Sequence, residues 1–341
     1  MEYIKDQKIA IILTGQIRTW KLALPILKKT LLERYNCDVF LVADLDNTLQ
    51  NENDNSKNQT KMEDALQAVE FIKPKKHIII NNNIDITSIK YEFRKSGYSY
   101  KLYSKLQKAD KLNDIQNKES KNFADFDVIN NKLVFNKLYD TLKVTEDWVD
   151  MGSNIEQSWI RRYRQYTVVS KCLTLMKEYA EENKVEYAAV IRVRFDQLLH
   201  TLNNRHKEFK DFCFQQNGFL KYCNENIIKA NSIKECIKLD IPLPSKNDIY
   251  VFGGGIFDQA NHSHIYVNDQ FFITNYDSAL LFINFNKYIC DNMKKMKDTY
   301  MPTCAAMEYM FANYLYDNQF NIYKLENLSG YFIREFVSNS N

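Results

Sequence analysis

The sequence predicts an α/β protein built on a Rossmann-type, mostly parallel central sheet with flanking helices and a helical insertion. Three observations carry this. Ile9-Ala10-Ile11-Ile12-Leu13 is an unbroken apolar run, which a strand buried on both faces requires. Further apolar runs at 37–42 and 77–80 alternate with stretches of helical spacing. Strand–helix–strand–helix–strand is the pattern of parallel pairing through right-handed crossovers.

Taken in order, the strand at 9–13 runs into a turn, Thr14-Gly15-Gln16-Ile17-Arg18. Leu22, Ile26, Leu27 and Leu31 then share one face of a helix over 20–35, and 37–42 is the second strand. Residues 47–60, rich in Asn, Asp, Gln and Lys, read as an exposed loop. A helix over 61–72 and a third strand at 77–80 complete the first half. Residues 84–150 lose the rhythm and read as an insertion of short helices without a core of its own. Val169, Cys172, Leu173, Met176 and Tyr179 form one stripe of a helix or helix pair over 155–184. A fourth strand is expected over 187–199 and a fifth over 248–252. Helices at 276–297 and 303–316 precede a late strand at 320–325. No internal repeat is visible.

Composition excludes several classes. In 341 residues, 45% hydrophobic and 26% charged side chains fit a soluble globular chain rather than a disordered one. Lys+Arg number 46 against 43 Asp+Glu, a net charge of +3, so there is no electrostatic case for binding nucleic acid or a membrane surface. Seven scattered cysteines without a Cys-x-x-Cys pair argue for a reducing compartment rather than a disulfide framework or zinc knuckle. No basic n-region opens the chain and no stretch approaches about 18 apolar residues. The expectation is a cytoplasmic protein without a transmembrane segment.

Several motifs can carry chemistry. Thr14, Gly15, Gln16 and Arg18 lie between a buried strand and a helix N-terminus, where free N–H groups and the helix dipole favour phosphate. Glycine lets the backbone approach a ligand, and arginine can fork onto a diphosphate. An ordinary βα turn with a surface arginine accounts for the same residues. In Val190-Ile191-Arg192-Val193-Arg194-Phe195-Asp196, alternation puts Ile191, Val193 and Phe195 on one face and Arg192, Arg194 and Asp196 on the other. Charges on a core strand are costly to bury unpaired. Either they pair on a solvated face, or they line a site at the strand's C-terminal end, where open α/β sheets bind ligands. Arg164 and Gln165, on the preceding helix, are placed to reach the same cleft. Asp269, in a polar turn before an apolar segment, suits a general base for an acceptor hydroxyl. His262 and His264 have no companion at metal-ligand spacing and read as loop histidines, and Glu308 sits within an apolar helix.

Asp44-Leu45-Asp46-Asn47-Thr48, after a hydrophobic strand, resembles the nucleophile motif of haloacid-dehalogenase-type phosphatases and also the Asp-x-Asp metal motif of many glycosyltransferases. The phosphatase motif calls for a later acidic pair for Mg²⁺, and none is found downstream. An acidic loop start is the third reading.

In sequence order, Gly15-Gln16-Ile17-Arg18, Cys37-Asp38-Val39-Phe40-Leu41, Arg164-Gln165, the 190–196 segment and Asn268-Asp269-Gln270-Phe271 resemble a group of GT-A-like glycosyltransferases. These occur in bacterial surface-polysaccharide loci (the WavE-type lipopolysaccharide proteins are similar) and in large DNA viruses. The resemblance runs from Ile9 to about Leu325, without the 84–150 insertion. It implies one catalytic domain over 1–341, with a nucleotide-binding βαβαβ half at 1–83 and a donor/acceptor half at 151–341. It also implies a hexosyl- or deoxyhexosyltransferase acting on a nucleotide-sugar donor and a glycan or other hydroxyl acceptor. Thr14, Gly15, Gln16 and Arg18 would line the nucleotide pocket, and Arg164 and Gln165 would approach the donor. Arg192, Arg194 and Asp196 would stand where related folds carry Asp-x-Asp, and Asp269 would face the acceptor. With Arg-Phe-Asp in that position, Asp196 is the one carboxylate offered to Mn²⁺ or Mg²⁺, and the arginines are the alternative stabilisers of the leaving diphosphate. The competing expectations are a Mg²⁺-dependent phosphatase using Asp44 and Asp46, and a nucleotide-sugar-binding relic without turnover.

Overall fold

The computed structural model describes residues 2–17, 20–45, 62–80, 84–95, 124–129, 132–138, 155–201, 240–252, 267, 269–297, 306–325 and 328–332. The run at 9–13 becomes β1 (Ile9–Gly15), flanked on both sides by parallel partners, β2 (Cys37–Asp44) and β6 (Ala189–Arg194). Beyond β2 lies β3 (Lys76–Ile80), also parallel. Beyond β6 come β9 (Phe272–Thr274), β8 (Asp248–Phe252), β10 (Asn321–Leu325), β5 (Lys132–Leu138) and β4 (Ala124–Ile129). The order of this nine-stranded sheet is β3-β2-β1-β6-β9-β8-β10-β5-β4. A separate pair joins β7 (Gln197–Thr201) to β11 (Leu328–Phe332).

Alternation along β1 divides the core. Ile9, Ile11 and Leu13 pack with Trp20, Leu24 and Leu27 of α1 (Trp20–Leu27) and with Ala65 and Ala68 of α2 (Met62–Ile72). Ala10 and Ile12 face the opposite layer, dominated by the long α4 (Ile155–Asn183). Its stripe of Val169, Cys172, Leu173 and Met176 is fully buried at helical spacing. Each such side chain contributes about 1.5–3 kcal/mol by leaving water. Ile89 of α3 (Thr87–Lys95) joins this layer, as do residues of α5 (Tyr276–Leu281), α6 (Phe285–Lys297) and α7 (Ala306–Asp317). Asn275 caps α5 by accepting from the Asp277 N–H at 3.0 Å. Phe272 of β9 stacks on Phe282, which stacks on Phe311, and Phe285 meets Phe311 edge-on. Among the described residues no helix is long and apolar enough to cross a membrane.

The sheet is mostly parallel, as expected, with two strands reversed, and two other expectations need correction. β9 runs antiparallel to both β6 and β8, and β5 is antiparallel to both its neighbours. Three residues of β9 are too few for periodicity to register. The 187–199 segment is two strands. β6 ends at Arg194, the chain turns at Phe195 and Asp196, and β7 leaves the main sheet. The 84–150 segment holds one described helix, α3, and the hairpin β4–β5, which extends the sheet through β10. Its strands are separated in sequence by Asn130 and Asn131, a two-residue link of the length that favours hairpins. The loop expected at 47–60 lies outside the described residues.

At the N-terminal ends of the strands, buried Asp38 collects Lys8 at 3.0 Å, Lys75 at 3.6 Å and the Tyr187 hydroxyl at 2.8 Å. Burial and then Asp38 raise the Tyr187 pKa. Burial pushes Tyr250 and Tyr314 to about 12. Unfolded phenols ionise near pH 10, so these groups favour the native state fully below that pH and progressively less above it. The loss is up to about 1.4 kcal/mol per pH unit for each. The urea midpoint is expected to hold to about pH 9.5 and fall steeply by about pH 11, with Tyr187→Phe flattening the fall. An equal midpoint at both pH values would contradict this.

Candidate functional site

The chain passes from β1 to β2 and β3 on one side, then returns to β6 on the other side of β1. The C-terminal ends of β1 and β6 therefore form a topological switch point, the crevice where open α/β sheets hold ligands. Thr14 lies opposite Arg194 in the β1–β6 register, and Gly15 lies opposite Ala43, one residue before Asp44. The glycine turn and the arginine strand thus reach one edge of the sheet. Gly15 has φ +115°, a conformation that disfavours L side chains, and among the described residues other than its chain neighbours no atom lies within 4 Å of where its Cβ would stand. Thr14 is buried and Gln16 half-buried beside it.

The charged side chains of this edge are organised in forks. Arg164 of α4 donates from Nη2 to Asp44 Oδ1 at 2.7 Å and from Nε to Oδ2 at 3.3 Å, with both side chains buried. Arg194 donates from Nε and Nη2 to the two oxygens of Asp196, each at 2.9 Å. Gln165 accepts from Arg194 Nη1 at 3.5 Å and donates to Asp269 Oδ2 at 3.2 Å, so its amide bridges β6 and Asp269. Tyr166 donates to the same Oδ2 at 2.8 Å, its ring held edge-on by Phe285 at a centroid distance of 4.3 Å. Asp269 is 5% exposed, and its Oδ1 makes no hydrogen bond among the described residues.

Arg192 differs from the other arginines. It is 0% exposed, and none of its three nitrogens has a hydrogen-bond partner among the described residues. Its guanidinium carbon lies 5.3 Å from the Tyr166 ring centroid and 5.9 Å from that of Phe272. Such cation–π contacts offset roughly 0.5–2 kcal/mol each, against a desolvation cost of several kcal/mol for a buried ion. Burial lowers its pKa; Tyr166 and Asp269 favour its charge, while Arg194 opposes it.

The structure thus brings together Gly15, Arg164, Gln165, Arg192, Arg194, Asp196 and Asp269. Arg192 and Arg194 share the α4 side of the sheet, and Ile191, Val193 and Phe195 the α1 side. Arg18, Asp46, His262 and His264 lie outside the described residues. Tyr166 and Gln197 join the site without having been singled out by sequence. Tyr166 stands three residues before Val169 and passes for core, and Gln197 follows the strand with no pattern to mark it.

The metal role expected of Asp196 finds no support among the described residues. Both of its oxygens are taken by the Arg194 fork, and Arg192 stands two residues earlier on the same strand. Among the described residues no group of three or more His, Cys, Asp or Glu side chains could hold an ion. Mn²⁺ and Mg²⁺ want a shell of oxygen donors, and one forked carboxylate among guanidinium groups does not fit them. A scan against protein-family models finds no matching family, and searches of curated proteins and of solved structures find no match.

Removing one partner of a buried ion pair leaves the other charge stranded, at about 3–5 kcal/mol. Arg164→Met is expected to lower unfolding stability by that amount. The double variant with Asp44→Asn should recover much of it. A single variant as stable as the wild type, by urea denaturation, would show that the pair does not order this edge.

Proposed function

We propose that the chain is a GT-A-like glycosyltransferase that moves a sugar from a nucleotide-diphosphate donor to a hydroxyl acceptor. The observation that carries this reading is the convergence of the Gly15 turn, the Arg192–Arg194 strand and Asp269 on one crevice at the β1/β6 switch point. A sheet half of β1, β2 and β3, joined at β6 to a second half through antiparallel β9, is in keeping with a nucleotide-binding half beside a donor/acceptor half.

In this reading the nucleotide approaches over Gly15, where the backbone leaves open space. Asp269 is the general base. Gln165 and Tyr166 hold Oδ2 and leave Oδ1 to take the acceptor's proton. As that proton leaves, the acceptor oxygen bonds to the anomeric carbon, and the old carbon–oxygen bond pair departs on the diphosphate. Guanidinium groups neutralise the charge that develops there. The geometry favours no phosphatase: both oxygens of Asp44 already accept from Arg164, so neither is free as a nucleophile.

The test is thermal stabilisation by UDP-, GDP- and dTDP-sugars, followed by nucleotide release. A donor at about 100 times its Kd adds about 2.7 kcal/mol, a shift of several degrees. Asp269→Asn should bind the stabilising donor within a few-fold of wild type yet lose about 10²–10⁴ in kcat. No stabilisation by any donor would refute the reading. Donor binding without release or transfer across many acceptors would make the protein a binding relic.

A further inference from the structure

In the described chain the unsatisfied buried donors belong to two residues five apart in sequence, on either side of the turn that ends β6. The buried side-chain nitrogens without a partner are Nε, Nη1 and Nη2 of Arg192 and Nε2 of Gln197. The remaining unpartnered buried atom is an acceptor, Oδ1 of Asn286 on α6. Arg192 and Gln197 flank the same turn at the carboxyl end of β6. Gln197 is 1% exposed, and its Oε1 accepts from the Arg194 N–H at 3.4 Å, which fixes the amide at the base of that turn.

The nearby carboxylates do not meet these donors. Asp196 is forked by Arg194, Asp44 by Arg164, and Asp269 Oδ2 is held by Gln165 and Tyr166, while Asp269 Oδ1, the carboxylate oxygen left over, is not hydrogen-bonded to Arg192. The Arg192 guanidinium is thus without an acceptor in contact, and its planar fork matches phosphate oxygens. A structural ion would have been paired, because an unpaired buried charge opposes folding and an apolar residue of similar volume would serve the core better.

We propose that Arg192 and Gln197 form a phosphate-class anion site that works without a divalent metal. The identity of its natural ligand, the diphosphate of the sugar donor, rests on the glycosyl-transfer reading. The anion site itself rests on the unmet donors. Arg192 fills the role that a metal ion would otherwise take, neutralising a charge that arrives with the ligand. Gln197 supplies a neutral donor to a second oxygen, and the Arg194–Asp196 fork, already satisfied, walls the site.

The experiment is calorimetric titration of the full chain with inorganic pyrophosphate in EDTA, together with melting curves. The expected result is binding by the wild type without metal, weakened at least tenfold by Arg192→Lys, which keeps the charge and removes the fork. Arg192→Met should abolish binding yet melt no lower than wild type in the absence of ligand. Gln197→Glu keeps the acceptor for the Arg194 N–H but sets an anionic oxygen where the donor was, and should weaken binding as strongly as Arg192→Lys. Undiminished binding in Arg192→Lys and Gln197→Glu would overturn the proposal, as would binding that requires Mn²⁺ or Mg²⁺, or an Arg192→Met protein that melts well below wild type. Pyrophosphate binding through Arg192 with no response to any nucleotide sugar would leave this site standing and remove the transferase reading. Sugar-donor binding seen with Mn²⁺ alone would do the reverse.

Discussion

The parallel register between β1 and β6 sets the level of every group at the sheet's C-terminal edge. Thr14 stands beside Arg194 because Ile9 stands beside Ala189, and the intervening pairs allow no slip. A one-residue shift would carry Arg192 from the α4 side into the apolar layer of Leu24, Leu27 and Phe271, away from Tyr166 and Asp269. The register is held from the other end as well. The Ala188 N–H donates to the Lys8 carbonyl at 2.8 Å, and Tyr187 reaches across to Asp38 on β2. Once the N-terminal ends are tied together, the glycine turn, Asp44 and the arginine strand arrive level.

The two ends of the sheet treat buried charge in opposite ways. Asp38 is surrounded by two lysines and a phenol, and every donor around it has an acceptor. That cluster is structural, with its lysines reaching to solvent. Among the described residues the C-terminal edge holds three arginines and three aspartates, and their hydrogen bonds are unevenly distributed. Two arginines are doubly bound to carboxylates, and the third has aromatic rings for company. Arrangements that cost stability at a crevice are where ligand chemistry is found.

Much of this was legible in the amino-acid order. β1 and β2 were readable because strands buried on both faces are apolar over most of their length, as 9–13 and 39–42 are, and β3 because Ile78-Ile79-Ile80 is a third such run. The shared face of Arg192 and Arg194 followed from the two-residue period. What escaped was whatever depends on partners distant in sequence. Asp44 and Asp46 read as a phosphoryl or metal motif, but the group that claims Asp44 is Arg164, 120 residues away. The break between β6 and β7 was hidden because Leu198 and Leu199 continue the apolar run without a Gly or Pro to mark the turn. The hairpin β4–β5 lies in a Lys- and Asn-rich stretch, and its place beside β10 is set by the sheet rather than by local propensity.

The account depends on an anion seated between Gly15 and the unpartnered guanidinium of Arg192. A crystal structure of the full chain with a nucleoside diphosphate, grown in EDTA, tests this most directly. The expected result is diphosphate oxygens within hydrogen-bonding distance of Arg192, with the nucleoside lying over Gly15 and no cation between phosphate and protein. A diphosphate bound at another edge of the sheet, with Arg192 still sealed against Tyr166 and Phe272, would contradict it.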